Sequence, residues 1–365
     1  MDHKQRKINW SLYIITGIIL AIGLVNLYSA AYFWGEEGIP SLFWSQLAWI
    51  LIGLFLMIIA TFTDYRIFNR FAFYIYIFIN VLLLVSLLFG KIVKGTAGWI
   101  QLGPVSFQPT EFAKIACVIV LAKFYSEHPA PEGFSLKDMV RPAVLIGIPF
   151  VIIVLQGDMG SSLFFILIFT TIALFVKIQR NSLILLLVVA LISGGLVYQF
   201  GLKDYQRSRI LNFVNPEQDI RGSGYHLVQS KIAVGSGKFF GKGYLKGNIN
   251  KLRYLPERHT DFIFPVFAEE WGFLGCLILI MLYAALIFVG VEIAKKARDR
   301  FGILLSMGII AMLFWQIVIN LGGVLGLMPL TGVTLPLMSY GGSSMIAVLI
   351  GVGILQNVDM RRFMF

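Results

Sequence analysis

The sequence is poor in charge, cysteine and histidine. Only 13% of its 365 residues are Asp, Glu, Lys or Arg, against about a quarter in soluble domains. Hydrophobic residues make up 58%, more apolar surface than a soluble fold of this length can hide. The two cysteines, Cys117 and Cys276, each lie inside an apolar stretch, which excludes a disulfide framework and reads as packed, inert thiols. The four histidines, His3, His128, His226 and His259, are scattered. No His-x-x-x-His or Cys/His spacing of a zinc site occurs, which speaks against metal hydrolysis. A Gly-x-Ser-x-Gly elbow is missing too, as are clear internal repeats and low-complexity tracts.

What is there is a series of apolar blocks near the length of a bilayer crossing, about 20 residues. They run Trp10 to Tyr32, Leu42 to Phe62, Ile67 to Phe89, Glu111 to Tyr125, Val144 to Leu155, Gly160 to Phe175, Leu183 to Phe200, Phe262 to Ile293, Leu304 to Leu325 and Ser343 to Val358. The fold class expected is therefore all-α: a polytopic integral membrane protein of about ten transmembrane helices, one membrane domain over 1–365. A long loop, 201–261, joins helices 7 and 8. The first block exceeds 20 residues, too long for a usual signal-peptide core, and reads as a retained helix. The fourth, fifth, sixth and tenth blocks are short, as expected of tilted, re-entrant or protein-enclosed helices.

The formal charge of +11 is spread over short loops, with no basic arm or helix to track a phosphate backbone, so nucleic acid is not an expected partner. Placing the N-terminus in the cytoplasm puts Lys4, Arg6, Lys7, Arg66, Arg70, Lys123, Lys137, Arg141, Lys177, Arg180, Lys295, Lys296, Arg298, Arg300, Arg361 and Arg362 inside. The short outer segments then hold only Lys91 and Lys94. That asymmetry predicts cytoplasmic N- and C-termini and an extracytoplasmic long loop.

Ionisable groups inside an apolar block are costly and therefore informative. Glu111 and Lys114, three apart after Gln108-Pro109-Thr110, share one helix face; an ion pair that caps and orients the helix and a substrate contact both fit. Asp158 lies in Gln156-Gly157-Asp158-Met159-Gly160, either a plain tight turn or part of a site. In the long loop, Lys231, Lys238 and Lys242 are interleaved with Gly235, Gly237, Gly241 and Gly243, a weak pattern for a diphosphate. It is not a P-loop, because the Gly-Lys-Ser/Thr ending is missing. At the loop's end Glu257, Arg258, His259 and Asp261 crowd together where a helix begins. Thr260 or Asp261 as N-cap is the structural alternative, and a carboxylate raised toward general-base range at a membrane boundary is the catalytic one.

Taken together, Gln108 to Lys114, Gln156 to Gly160, Pro256 to Phe262 and Ser339-Tyr340-Gly341-Gly342-Ser343-Ser344 closely resemble the SEDS family (shape, elongation, division and sporulation proteins) over nearly the whole chain. Arg258 resembles the rod-shape, or RodA, branch. The resemblance implies a peptidoglycan glycosyltransferase that polymerises lipid II at the outer face of the bacterial cytoplasmic (inner) membrane, for cell elongation. It implies Asp261 as the catalytic residue, with Glu111, Lys114 and Asp158 lining the cavity; Glu257, Arg258, His259, Lys231, Lys238 and Lys242 are expected substrate contacts. A class B penicillin-binding protein and other elongation-complex membrane proteins are the implied partners, since no Ser-x-x-Lys transpeptidase motif is present. Positive charge for the diphosphate can come from Lys114, from loop cations or from a divalent ion, Mg or Mn, held by carboxylates; these stay open. Two departures from the family pattern stand out: Gly98 where Arg is frequent, which removes any phosphate contact there, and Gly157 in place of Pro. A flippase for the same lipid and a non-enzymatic scaffold are the rival readings.

Overall fold

The computed structural model describes residues 8–32, 41–93, 96–103, 105–185, 223–251, 255 and 257–362. Helices α1 (Trp10–Tyr32), α2 (Ser41–Phe62) and α3 (Tyr65–Phe89) are followed by a small sheet of β1 (Lys91–Val93), β2 (Thr96–Leu102) and β3 (Val105–Phe107). Next come α4 (Pro109–Glu127), α5 (Leu136–Leu155), α6 (Met159–Phe175), α7 (Ser223–Ser236), α8 (Asn248–Lys251), α9 (Ile263–Lys296), α10 (Arg300–Leu325) and α11 (Gly342–Met360). Seven of these, α1, α2, α3, α5, α9, α10 and α11, are long and apolar enough to cross a membrane. The expected block from Leu183 to Phe200 falls outside the described residues beyond 185, as do the loop's first part, 201–222, and Lys4, Arg6, Lys7 and Lys94.

The fold is helical, as expected, apart from the antiparallel sheet, ordered β1-β2-β3 with Ile100 opposite Phe107. Gly103, at φ +63, supplies the left-handed residue of the β2–β3 turn. Helix α5 begins eight residues before the apolar block that marks it. Ser135 and Asp138 form a capping box, and Pro142 and Pro149 are carried inside the helix, which bilayer helices tolerate when neighbours satisfy the freed groups. The short fourth block is explained by enclosure. Helix α4 packs against α3, α5, α6, α10 and α11, and most of its residues are buried, Glu111 and Lys114 included.

Small residues let α2 and α11 approach closely. A Cβ on Gly353 would stand 2.5 Å from the Met57 carbonyl, so only glycine lets these backbones meet. At that end of the bundle Asn357 donates to the Ala60 and Thr63 carbonyls, and Arg361 pairs with Asp64 at 3.1 Å. At the opposite end lie the sheet, α7, and the N-termini of α4, α6, α9 and α11.

Candidate functional site

Two irregular segments meet at the sheet end of the bundle: the turn 257–262 before α9, and the loop 327–341 between α10 and α11. Backbone and side-chain bonds stitch them together. Tyr340 N–H donates to the His259 carbonyl at 2.8 Å, and Ser339 Oγ donates to the Thr260 carbonyl at 2.7 Å. Asn320 Nδ2 of α10 donates to the Asp261 carbonyl at 3.1 Å and to Val333 O at 2.6 Å. The carboxylate of Asp261 is half-buried and faces Gly332, where a Cβ would lie 3.5 Å from Asp261 Oδ2. Gly332 has φ +74, so a side chain there would be both strained and aimed at the carboxylate. The N-cap of α9 is Phe262, without a capping side chain, and Thr260 Oγ1 turns back to Glu257 instead, at 3.2 Å. The N-cap position of α9 is thus Phe262, not Thr260 or Asp261.

Within the same turn, His259 Nε2 stands 3.7 Å from the Glu257 carboxylate, and its ring meets Tyr340 edge-on at 5.9 Å. Arg258 is buried. Burial raises the Tyr340 phenol above its usual range despite a hydrogen bond from Ser45, so it remains a neutral O–H donor at physiological pH.

The other three motifs converge on the 327–341 loop. Asp158 caps α6, accepting from Ser161 N–H at 2.9 Å and Ser161 Oγ at 2.7 Å. A Cβ on the next glycine, Gly160, would be 2.2 Å from Thr331 O, so the α6 start is seated against the segment that faces Asp261. Gln156 is buried and donates to Leu83 O and Ser86 Oγ of α3 at 2.9 and 3.0 Å, while its carbonyl accepts from Ala97 of β2. It anchors the turn that presents Asp158. Gln108 N–H, before α4, donates to Ser343 Oγ at the start of α11 at 2.9 Å. One turn on, Lys114 Nζ and Glu111 Oε1 form an ion pair of 2.9 Å, both side chains buried, with Lys114 also over the Phe164 ring at 4.9 Å. Thr110 Oγ1 and Glu111 Oε2 have no partner among the described residues.

The loop lysines are not brought together with Asp261. Lys242 Nζ pairs with buried Glu269 at 2.6 Å, about 10 Å along α9 from its start. Lys238 is exposed, its carbonyl bonded to Phe273 N–H, farther still along α9. Lys231 lies with its stem across Gly326, the left-handed C-cap of α10. The glycines between them are demanded by backbone packing: a Cβ on Gly237 or Gly241 would stand 2.0 Å from Ala268 O or 2.1 Å from Glu270 O.

Several lining residues carried no motif. Gln316 and Asn320, four apart within an apolar block, share one face of α10; Gln316 donates to Ser344 Oγ, which also bonds Thr334. Gln46 of α2 donates to Ser339 O and accepts from Gly341 N–H. His226, one of the scattered histidines, meets the Phe262 ring at 6.5 Å. A buried amide inside a membrane helix was the available signal for the first three. Among the described residues no three His, Cys, Asp or Glu side chains cluster as a metal site.

Known proteins resemble this chain over nearly its whole length. A family model described as cell cycle protein, FtsW/RodA/SpoVE, matches residues 9–363. The peptidoglycan glycosyltransferase MrdB of Escherichia coli is 38% identical, over 100% of this chain and 98% of its own. A solved chain of a peptidoglycan synthase complex that coordinates polymerisation and crosslinking superposes with a TM-score of 0.84 at 33% identity, covering 98% of this chain and 99% of that one. The rod shape determining protein RodA of Thermus thermophilus superposes at 0.73 and 30% identity, covering 98% of each. The chain belongs to the FtsW/RodA/SpoVE family of cell cycle proteins.

Proposed function

We propose that this protein is a peptidoglycan glycosyltransferase of the rod-shape branch, polymerising lipid II with Asp261 as general base. The observation that carries the reading is the meeting of four separate sequence motifs at one end of the bundle, around the half-buried carboxylate of Asp261. The Asp261 carboxylate takes the proton of the acceptor sugar's 4-hydroxyl as that oxygen attacks the donor's anomeric carbon. The bond to the lipid diphosphate breaks, and the configuration inverts. A positioned base contributes about 10² to 10⁴-fold.

Around it, Asp158, Glu257, Arg258 and His259 orient the sugars and diphosphate, and Lys231 faces the same end from α7. Glu111 and Lys114 belong to the cavity through α4's first turn, whose unpaired Thr110 Oγ1 and Glu111 Oε2 retain hydrogen-bonding capacity for a ligand. Lys242 is reassigned from substrate binding to the framework of the loop, and Lys238, exposed and farther along α9, is set apart from the Asp261 cluster. A polar cluster at one end of the bundle favours interfacial chemistry over a flippase, whose site is expected near the bilayer midplane.

The protein is a multi-pass membrane protein, and we place it in the cytoplasmic membrane with both termini inside. Apart from Lys91 in β1, the basic residues of the described short loops lie at the end opposite the sheet, a bias that supports this orientation. A class B penicillin-binding protein is the proposed partner, held in part by lipid-facing helix surfaces. The deciding experiment is purified protein with lipid II in detergent, where flipping produces no signal. Glycan polymer is expected; unchanged lipid II from folded protein, with and without the partner transpeptidase, sinks the reading.

A further inference from the structure

The segment between α7 and α8 is a rigid clasp whose purpose the glycosyl transfer does not explain. Lys242 and Gly243 N–H groups donate to the carbonyls of Glu269 and Glu270, and Phe273 and Leu274 N–H donate back to Lys238 and Phe239. The Lys242–Glu269 ion pair and a bond from Ser29 Oγ of α1 to Glu270 hold both sides. Gly272 breaks α9 at φ +66, ψ −165, with its Cβ position 2.2 Å from Gly241 N. The loop accepts a left-handed Lys238, φ +48, to keep this form.

What the clasp displays is apolar. Phe239 and Phe240 are 53% and 76% exposed, beside Phe273 at 56% and Trp271 at 43%; the rings of Phe239 and Phe273 are 5.8 Å apart. The level of this patch follows from helix length. Gly272 divides the 34 residues of α9, and the run beyond it, 273–296, is about 36 Å long, enough for the ~30 Å of hydrocarbon. Counting about 20 residues back from Lys295 and Lys296, which mark the far interface, ends just past the break at Gly272. The lipid-facing surface of α9, with exposed Leu274, Leu277, Ile278 and Met281, thus continues directly into the phenylalanine pair. Exposed Lys238 and Lys246 flank it, a charge that complements anionic headgroups, each worth about fivefold in binding near such a surface.

We propose that the Lys238–Lys246 loop is a membrane-interface anchor, seating Phe239 and Phe240 in the outer leaflet and pairing Lys238 and Lys246 with anionic phospholipid headgroups. It rests on the orientation proposed above only for which leaflet is meant. The test uses the full chain in nanodiscs. A bimane dye on Phe240→Cys reports its surroundings, with native Cys117 and Cys276 buried. Blue-shifted emission, quenched at least about twofold by shallowly brominated lipid, is expected for a ring at the interface. In native mass spectrometry, the preference for phosphatidylglycerol over phosphatidylcholine should fall at least about fivefold in Lys238→Gln/Lys246→Gln. Water-like, unquenched emission overturns the proposal, as does an unchanged lipid preference in the lysine variant. A blue shift that appears only when a partner protein is added overturns it too, by assigning the patch to protein. Neither measurement reads polymerisation, so this result and that of the proposed activity are independent.

Discussion

Replacing Asp261 by Asn separates chemistry from structure at this site. The two side chains differ by a proton acceptor and scarcely in shape, and the structure limits what else can change. The backbone carbonyl that Asn320 holds is untouched, and α9 has no side-chain cap to lose. The carboxylate's neighbour Gly332 accommodates an amide of the same size. A lost N-cap would cost about 1 kcal/mol, so the folding penalty of Asp261→Asn is expected below that figure. The loss of a general base is expected to cost at least about a hundredfold, or about 2.7 kcal/mol of barrier. The assay is glycan polymer from lipid II by gel or mass spectrometry, beside thermal melting of the same preparation. Wild-type melting with more than about a tenth of the activity would refute Asp261 as base and turn attention to His259 and Asp158.

Lys114→Met should lower the melting temperature strongly, because it leaves Glu111 as a buried, unpaired charge, a loss of about 3–5 kcal/mol; adding Glu111→Gln should recover much of it, and a single variant that melts like wild type would remove the pair from the fold's energetics. Gln46→Ala takes away both bonds to Ser339 and Gly341 and should destabilise by about 1–3 kcal/mol, read by melting in detergent. Gly160→Ala forces the α6 start off Thr331 and should cut polymerisation more than Asp158→Asn does; equal activity to wild type would detach α6 from the site. Cysteine at Asn250 should react with an impermeant reagent in intact cells, and failure there and at Asn215 would reverse the proposed orientation.

Much of the architecture was legible in the residues because a bilayer demands long apolar runs whatever the packing: α1, α2, α3, α9 and α10 coincide with their blocks to within a few residues. The boundaries that departed were governed by capping and neighbours. Helix α5 reaches back across Pro142 to its Ser135 box, and α4 runs two residues past its short apolar block at each end, with Thr110, Glu111 and Lys114 enclosed by the bundle. The sheet escaped notice because β1 and β3 have only three residues each and β2, Thr96–Leu102, carries little apolar/polar alternation.

At the site, sequence determined which residue types gather: Glu257 to Asp261, Glu111 with Lys114, and Asp158 between glycines, each costly beside lipid without a purpose. Only tertiary structure decided where they point. Contacts of high sequence separation, Gly160 with Thr331, Gln108 with Ser343 and Asn320 with Asp261, bring the motifs to one end, and no local pattern encodes them. The same holds for the Gly/Lys loop. By composition it matches a phosphate cradle, yet its glycines are set by close backbone approach to α9, and Lys242 is held by Glu269, a carboxylate 27 residues away that an apolar helix gave no reason to pair with it.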